Sequence, residues 1–363
     1  MKRSKKVAYL ISDLGTGGQE RQLFYLISNL PAHYDAYVYP MNFNSQDKYV
    51  EPLNKLGVTV CELEGDSRFQ RLRALRKAIL ELSPDIIHSY SFHLNFTAWL
   101  VSLFTRAKVF GGVRNQLINN RDHSGKFSFY SSLLFPRFRI SNHYEYLCGA
   151  SSMIRKIDKY WTKTFVVHNG IDLRDYKNFF PSDSGIPLKS GSVFRFHPAK
   201  RMDLMLQLFS ELKKEGIPIQ HQHAGSGDDF EKIKQEIHRL NLQDSFELIG
   251  EVRDLSEFWR DKHIMFHTAD YEGCPNVVLE AMACGKPILS TNCGDVEHIV
   301  REGENGWVVP FDNQTKLVDV ARKVVSDPGK LKAFGSRSRQ FIEGSFSLLS
   351  YREKVIGIYE KFI

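Results

Sequence analysis

The sequence predicts an α/β protein with two doubly wound parallel sheets. Short apolar runs alternate with amphipathic stretches of helical length in both halves of the chain. Such alternation is typical of parallel sheets that carry helices on both faces. At 363 residues the chain is also too long for one ordinary hydrophobic core, so we expect two domains.

The first half follows this plan from its first apolar run. We predict that its apolar runs are strands and that the amphipathic stretches between them are helices. The predicted strands are Val7–Ser12, Tyr37–Met41, Val58–Glu62, Ile86–Ser89, Val109–Val113 and Phe165–Val167. The predicted helices are Gln19–Leu30, Tyr49–Leu56, Phe69–Leu82 and Asn95–Thr105.

The second half repeats the plan after Pro181–Ser192, a segment rich in Pro, Gly and Ser that we predict to be a linker. Its predicted strands are Ser192–Phe196, Ile219–Ala224, Phe246–Ile249, Ile264–His267, Ile288–Thr291 and Gly306–Pro310. Its predicted helices are Met202–Glu215, Asp229–Leu240, Leu255–Arg260, Val277–Ala283, Leu317–Ser326 and Leu331–Glu343. The final amphipathic segment, Leu348–Ile363, could fold back onto the first domain.

Several polar residues stand where such sheets place their sites, beyond the carboxyl ends of strands. His88, Arg114 and Asn115 fall at such ends, although capping or packing in a turn explains His88 equally well. A glycine loop at residues 15–18 joins the first strand to the first helix. This geometry offers backbone N–H groups to a phosphate, but a plain tight turn is an equal alternative.

The stretch Tyr271–Pro287, YEGCPNVVLEAMACGKP, contains the most informative carboxylates. Pro275 fits the first turn of the predicted helix, and Gly285 fits its C-terminal stop. Glu280 is surrounded by apolar residues along this helix, so we expect it to be buried and hydrogen-bonded. Glu272 precedes the helix, beside N–H groups that suit an anion. A polyol carrying phosphate would fit here; the alternative is a structural pair between Glu280 and a core arginine.

Charge is unevenly distributed. The first 170 residues contain 23 Lys and Arg against 13 Asp and Glu, whereas the rest contain 26 against 29. A basic half could meet nucleic acid, an anionic bilayer or a phosphorylated substrate, and without zinc-finger spacing or arginine-rich tracts nucleic acid is least favoured. Segment 126–139, KFSFYSSLLFPRFR, fits an interfacial segment on an anionic membrane. A lid over an apolar acceptor and a helix hairpin docked in the core are its alternatives.

The cysteines and the apolar runs indicate a compartment. The five cysteines are odd in number and form no C-x-x-C pair, which favours a reducing environment. The first apolar run follows a basic tail and is ended by Asp13, as expected of a strand rather than a signal peptide. No apolar run reaches transmembrane length. We therefore expect a cytoplasmic protein, with a peripheral position on the inner face of the plasma membrane as an option.

The sequence predicts no metal and no separate cofactor. His221 and His223 share one face of a predicted strand and could bind a metal. No third ligand is apparent nearby, so we interpret them as structural. No Asp-x-Asp occurs in the chain, so the usual carboxylate anchor for a metal-bound diphosphate is missing.

Four motifs in this chain resemble those of the GT-B glycosyltransferases of family four, the retaining group. GTGGQER at 15–21 is similar to the family's Gly-Gly-x-Glu-Arg loop, and VHNGID at 167–172 is similar to its Asn-Gly-Ile/Val-Asp signature. Arg195 and Lys200 match the spacing of its Gly-Arg-x-x-x-x-Lys-Gly segment. Its Glu-x7-Glu motif is matched by Glu272 and Glu280, followed by AMACGKP and later by Gly294, Glu297 and the glycines at 303 and 306.

The resemblance covers almost the whole chain and implies the GT-B architecture, two Rossmann-like domains that face each other across a cleft. Residues 1–172, with the C-terminal helix 347–363 packed on them, would form the acceptor domain. Residues 173–346 would form the nucleotide-sugar donor domain.

The resemblance also implies roles for individual residues. Glu280 would accept hydrogen bonds from the ribose hydroxyls, and Glu272 would hold the donor sugar. Arg195 and Lys200 would neutralise the diphosphate as it leaves, Arg by bidentate contact and Lys as a point charge. The remaining donor-binding residues on this interpretation are Gly273, Cys274, Pro275, Asn276, Val277, Gly250 and Val252, with Gly17 and Gly18 approaching from the other domain.

Some positions depart from the family pattern. Phe194 and Arg201 stand where the family has glycines, so the local backbone could differ, and Asn276 could alter the donor pocket. The histidine that many relatives carry on the acceptor side is unassigned in this chain. Arg114 could take over part of its role with Asn115 beside it, or His88 or His123 could serve.

The resemblance implies a retaining transferase that moves a sugar from a nucleotide diphosphate donor, a UDP-sugar, to a glycan or lipid-linked acceptor in polysaccharide, lipopolysaccharide or capsule biosynthesis. Departing diphosphate would take the acceptor proton on the same face of the sugar, and domain closure would exclude water. The alternatives within the fold are a nucleotide-sugar epimerase and a disaccharide-phosphate synthase. A catalytically inactive GT-B binding subunit is the alternative from another class.

Overall fold

A computed structural model describes residues 3–114, 144–148, 164–181 and 186–363; at 144–148 and at Thr164 it describes the backbone alone. The chain divides into two compact units. The first comprises Met1–Gly170 together with Leu348–Ile363, and the second comprises Ile171–Ser347. Each unit has its own parallel sheet.

The sheet of the first unit has seven described strands in the order β3-β2-β1-β4-β5-β6-β7, all parallel. They are β1 (Lys5–Ile11), β2 (Tyr34–Pro40), β3 (Thr59–Val60), β4 (Ile86–Ser89), β5 (Lys108–Val113), β6 (Tyr144–Cys148) and β7 (Thr164–Val166). The chain leaves β1 toward β2 and β3 and then returns to β4 on the other side of β1. The strand order therefore reverses between β1 and β4, the position at which doubly wound sheets place ligands.

Helices cover this sheet and end on recognisable local signals. They are α1 (Gly18–Ser28), α2 (Val50–Lys55), α3 (Arg68–Leu82) and α4 (Asn95–Ser102). Ser67 and Gln70 form a reciprocal capping box at the start of α3, which satisfies two N–H groups that the helix cannot pair internally. The C-terminal helix, α12 (Leu348–Glu360), buries Tyr351, Val355 and Tyr359 in the same apolar cluster as β1.

The sheet of the second unit repeats the same order with six strands, β10-β9-β8-β11-β12-β13. They are β8 (Leu188–Val193), β9 (Ile219–Ala224), β10 (Phe246–Gly250), β11 (Ile264–His267), β12 (Ile288–Thr291) and β13 (Gly306–Val309). The helices are α5 (Met202–Lys214), α6 (Phe230–Arg239), α7 (Leu255–Trp259), α8 (Asn276–Ala283), α9 (Val296–Ile299), α10 (Gln314–Ser326) and α11 (Leu331–Ser345). Here the order reverses between β8 and β11.

The predicted linker Pro181–Ser192 is wrong over most of its described part, because Leu188–Val193 is the central strand β8. The small residues of β8 allow neighbouring side chains to pack closely against the strand. A Cβ atom on Gly191 would lie 2.8 Å from the ring of Trp259. The hydroxyls of Ser190 and Ser192 each contact His221, at 2.9 Å and 2.8 Å. Composition alone could not separate such a strand from a loop.

The boundaries of the other strands show where the sequence pattern was sufficient to predict a strand. Four predicted strands match β4, β9, β11 and β12 in full, and each is an apolar or alternating run in the sequence. The predicted strand Val58–Glu62 is longer than β3, which has two residues. The strand β6, which lies between β5 and β7, was not predicted. Within the described residues, the structure contains no helix that is both long and apolar enough to span a bilayer.

Candidate active site

The candidate donor-site residues follow β8 and β11, the two neighbouring strands at which the second sheet reverses its order. Arg195 lies two residues beyond β8, and Lys200 ends the 3-10 turn Pro198–Lys200 that comes next. Glu272 lies in the loop after β11. Because the carboxyl ends of adjacent parallel strands meet at one edge, these loops are neighbours.

The central contact of the site is an ion pair between Lys200 and Glu272. The ammonium contacts Oε1 of the carboxylate, and His267 Nε2 lies 3.5 Å from the same oxygen. The side chains of Lys200 and Glu272 are 24% and 15% exposed. Burial acts to raise the pKa of Glu272, but the contacts with His267 and Lys200 outweigh it and lower this pKa to about 2. Glu272 is therefore an anion at neutral pH.

The Lys200 turn is fastened to the loop that contains Glu272. The Thr268 hydroxyl lies 3.0 Å from the Lys200 carbonyl oxygen, and the Asp270 N–H donates to the Ala199 carbonyl at 2.9 Å. Arg201 adds an ion pair with Asp270 at 2.9 Å. These bonds fix the distance between the Lys200 and Glu272 backbones.

Arg201, which stands where the family has a glycine, adopts a backbone conformation typical of glycine. Its φ of 49° and ψ of 50° are the left-handed conformation that glycine adopts most easily. The left-handed backbone conformation is thus retained at this position although the residue is an arginine. Ion pairs from the Arg201 guanidinium to Asp203 and Asp270 hold that side chain.

Helix α8 begins at Asn276, one residue earlier than predicted, and Pro275 is its N-cap rather than part of the first turn. Pro275 supplies no side-chain hydrogen bond to the helix start. An α-helix leaves its first N–H groups without intrahelical acceptors, and its N-terminus attracts anions. Gly285, with a φ of 72°, ends the helix in the left-handed conformation as predicted.

The residues around the start of α8 are held by the turn after β12. The Asp295 N–H donates to the Gly273 carbonyl at 3.0 Å. Gly294 has a φ of 56°, and a Cβ atom there would lie 2.4 Å from the Glu272 and Gly273 carbonyl oxygens. Only glycine permits this approach, which holds the Glu272 loop against the turn.

Glu280 lies inside α8 and is 2% exposed, which confirms the predicted burial. Its neighbours Val278, Leu279, Ala281 and Met282 are fully buried. A carboxylate in such surroundings needs hydrogen-bond donors.

The other predicted donor-site residues are more dispersed. Arg195 is exposed and has no hydrogen-bond or ion-pair partner in the described part of the chain. Cys274 is buried, whereas Val277 is partly buried. Gly250 ends β10, two strands from β8, with Val252 packed nearby against the α8 cluster.

In the first unit, a carboxylate of the protein covers the glycine loop. Gly17 is the N-cap of α1, and Gly18 is its first residue. A Cβ atom on Gly17 would lie 2.1 Å from the Glu20 carboxylate, so the glycine makes room for Glu20. Glu20 is buried, and burial raises its pKa. The helix start at which we expected a phosphate therefore already has an acidic neighbour.

The expectation that His88 serves the acceptor is wrong. Its side chain is buried among the rings of Tyr9, Tyr90, Phe110 and Tyr359. Its Nδ1 lies 2.5 Å from the Tyr359 hydroxyl, and burial lowers its pKa well below the usual value. The prediction failed because the end of a strand can still point into the core. His123, Asn115 and segment 126–139 lie outside the described residues.

Arg114 lies just beyond β5 and is held in a defined orientation. Its guanidinium stacks 4.5 Å from the centroid of the Tyr90 ring. It donates to Asn169 Oδ1 at 3.1 Å and to the Tyr351 hydroxyl at 3.2 Å. A stacked, bonded guanidinium is pre-organised for planar anions.

Two histidines with site-like surroundings were missed. His93 joins a polar group at the first reversal point: its Nε2 lies 3.2 Å from the Ser12 hydroxyl, which contacts Ser91, and Gln19 donates to Ser91 at 2.7 Å. Its signal was its position just beyond β4. His267, the last residue of β11, was missed because it was counted only as part of an apolar run.

His221 and His223 have all four ring nitrogens within hydrogen-bond distance of Ser190, Ser192 or the Phe194 carbonyl. Burial lowers the pKa of His223 to about 3. These contacts fit their interpretation as structural residues, and the described part of the chain contains no group of three or more His, Cys, Asp or Glu that could hold a metal ion.

Comparison with known proteins identifies the class of enzyme. Residues 181–341 match the family model for Glycosyl transferases group 1. An uncharacterized glycosyltransferase of Haemophilus influenzae is 24% identical over 246 residues, which span 60% of this chain and 70% of that protein. The putative colanic acid biosynthesis glycosyltransferase WcaL of Salmonella typhimurium is 26% identical over 207 residues, 54% of this chain and 51% of that protein.

A solved structure shows the shared fold. The HepE protein of Anabaena in complex with UDP superposes with a TM-score of 0.83 at 16% identity, covering 98% of this chain and all of that one. The same protein has been solved with UDP-glucose, with a TM-score of 0.81 at 17% identity and coverage of 98% and 99%. The family match, the relatives and the fold together identify the chain as a glycosyltransferase with the GT-B architecture.

Proposed function

We propose that the chain is a retaining glycosyltransferase of family four that transfers a sugar from a UDP-sugar to a glycan or lipid-linked acceptor in polysaccharide biosynthesis. The UDP and UDP-glucose complexes of HepE support the donor, and the name of WcaL supports the pathway class. The observation that carries the proposal is the Lys200–Glu272 pair beside the start of α8.

The arrangement of this site supports a division of roles. Glu280 accepts hydrogen bonds from the ribose hydroxyls, as the resemblance to the family implies for the second carboxylate of the Glu-x7-Glu motif. Glu272 holds hydroxyls of the donor sugar. Arg195 and Lys200, with the N-terminus of α8, bind the diphosphate. Exposed Arg195 has no competing partner in the described chain, whereas Lys200 exchanges Glu272 for the phosphate.

These groups stabilise the charges that develop during transfer. The bond from the anomeric carbon to the diphosphate oxygen breaks, and a bond from the acceptor oxygen to the same carbon forms on the same face. The acceptor proton moves to the departing phosphate oxygen, so the charge and the proton balance. Preorganised cations and helix N–H groups that face a developing anion supply the largest catalytic effect in many enzymes.

We propose that the donor site needs no metal, since fixed cations serve the diphosphate. Transfer should persist in excess EDTA at the rate seen without it. A rate that collapses in EDTA and returns with magnesium contradicts this part of the proposal.

For the acceptor we propose the first unit, with Arg114 as its anion-binding residue. The basic excess of the first 170 residues supports a phosphorylated or lipid-diphosphate acceptor. Binding of 126–139 to an anionic membrane, on the cytoplasmic side, stays a prediction. Flotation with anionic and neutral vesicles at two salt concentrations tests it.

The donor prediction is tested by calorimetry with UDP on the wild type and on Glu280→Gln. Loss of a ribose partner should weaken UDP binding by about 1–3 kcal/mol. Glu236→Gln on the exposed α6 surface is the matched control and should bind like wild type. Equal UDP affinity of Glu280→Gln and wild type contradicts the ribose role, and UDP binding without turnover of any UDP-sugar favours the inactive binding subunit.

A further inference from the structure

His267 is a fully buried histidine at the carboxyl end of β11, five residues before Glu272. Its backbone lies opposite Ser290 in the register between β11 and β12. Each of its two nitrogens has a separate environment.

The Nδ1 side is fixed by β12. Nδ1 lies 2.9 Å from the Ser290 hydroxyl oxygen. That hydroxyl has one hydrogen, and it donates it to the Thr291 carbonyl at 2.8 Å. Ser290 can therefore only accept from His267, which places a proton on Nδ1.

The Nε2 side faces the active site. Nε2 is buried and has no hydrogen bond among the described residues, yet it lies 3.5 Å from Glu272 Oε1. Lys200 contacts that same oxygen. With Nδ1 already protonated, the approach to a carboxylate is favourable when Nε2 also carries a proton.

The remaining groups around the ring are compatible with that form. Cys293 Sγ lies 3.9 Å from Nδ1, and burial raises the pKa of this thiol, so it stays neutral. Glu272 is the anion that His267 approaches, and Lys200 is the cation that contacts the same carboxylate.

We propose that His267 is a positioning residue that holds the Glu272 carboxylate when Lys200 turns to the donor diphosphate. The inference rests on the proposed function, because it requires Lys200 to leave Glu272 during the reaction. A carboxylate that is only 15% exposed would otherwise lose its cation at the moment when it must hold the sugar. His267 then keeps the carboxylate charged and in place.

The first test compares two substitutions that each keep one half of the imidazole. His267→Asn keeps a donor near the Nδ1 position, whereas His267→Gln keeps one near the Nε2 position. We expect His267→Asn to lower kcat about 10- to 100-fold through misplacement of Glu272, with the Kd for UDP within about twofold of wild type. His267→Gln should recover most of the lost kcat.

His221→Asn is the matched control, since His221 is also buried in a strand of this sheet and bonded to serines. It should lower the melting temperature without a comparable loss of kcat. Equal kcat losses in His267→Asn and His221→Asn would overturn the inference, as would a His267→Gln variant no better than His267→Asn.

A stability cycle tests the contact without activity. With Lys200→Met, the contact between His267 Nε2 and Glu272 Oε1 remains. His267→Asn should then lower the melting temperature by about 2–4 °C more in the Lys200→Met protein than in the protein that retains Lys200. If His267→Asn does not fold, His267→Gln is used in its place. The extra fall in melting temperature in the Lys200→Met protein should then be smaller, because Gln keeps a donor near the Nε2 position.

The two proposals fail differently. The role of His267 alone is overturned if the wild type binds UDP, His267→Asn keeps the wild-type kcat, and the His267 substitution lowers the melting temperature equally with Lys200 and with Met at position 200. Absence of UDP binding by the wild type overturns the proposed function, and with it the catalytic part of this inference.

Discussion

The two sheets reverse their strand order at equivalent places, but the residues at the two reversal points behave differently. In the second unit, Lys200 and Glu272 form a partly exposed ion pair that a ligand can enter. In the first, Glu20 covers Gly17, and His88 points into the core. The comparison teaches that oppositely charged residues on the loops of adjacent strands predict which side chains meet at the sheet edge better than a single polar residue at a strand end does.

The largest effect is expected for Lys200→Met in the second unit. Removing a cation that faces the developing diphosphate charge should lower kcat about 100- to 1,000-fold. The matched control is Lys214→Met, an exposed lysine of α5 paired with Glu211. Steady-state transfer of a UDP-sugar measures both. A Lys200→Met enzyme with wild-type kcat would contradict the role of the second reversal point.

A second change tests whether Glu20 determines the glycine at position 17. Gly17→Ala should destabilise the protein by about 1 kcal/mol, because its Cβ enters the space of the Glu20 carboxylate and this side-chain end must shift. Glu20→Ala in the same chain should recover part of that loss. Urea denaturation measures the effect, with Gly57→Ala as a control in which the Cβ meets no atom but a positive φ is strained. Equal losses with and without Glu20 would contradict the steric explanation.

Stability should also depend on pH through the buried Lys286. Its ammonium donates to the carbonyls of Phe179 and Lys262 at 2.6 Å and 2.8 Å, and burial lowers its pKa from 10.5 to about 7. Between these values the unfolded chain binds a proton that the folded chain does not. Unfolding free energy should therefore rise with pH by about 1 kcal/mol per unit from pH 7 to 10.

Lys286→Met should flatten this rise, whereas exposed Lys323→Met should retain it. Denaturation at a series of pH values separates the two. A rise that is equally steep in Lys286→Met and wild type would show that another group is responsible.

The smallest effect is expected for Arg114→Lys in the first unit. A lysine loses the stack on Tyr90 and cannot reach both Asn169 and Tyr351 in the same planar geometry. We expect the acceptor KM to rise about three- to tenfold with kcat nearly unchanged. An unchanged KM for the acceptor would remove Arg114 from the acceptor site.

Individual residues show which parts of the fold and of the candidate site could be predicted from the sequence. The strand Ile264–His267 and the burial of Glu280 were predictable because an apolar run determines both. The strand β8 was not, since Ser190, Gly191 and Ser192 look like loop residues until their partners Trp259 and His221 are known. Arg201 shows the same limit: its left-handed backbone is held by Asp270, a contact made across sixty-nine positions.

The central claim is that Lys200, at the reversal point of the second sheet, binds the nucleotide diphosphate, whereas Arg114 of the first unit does not. Calorimetric titration of UDP into wild type, Lys200→Met and Arg114→Lys tests it most directly. We predict that Lys200→Met weakens UDP binding at least about tenfold, while Arg114→Lys binds UDP within about twofold of wild type. Wild-type affinity in Lys200→Met together with a large loss in Arg114→Lys would contradict the account.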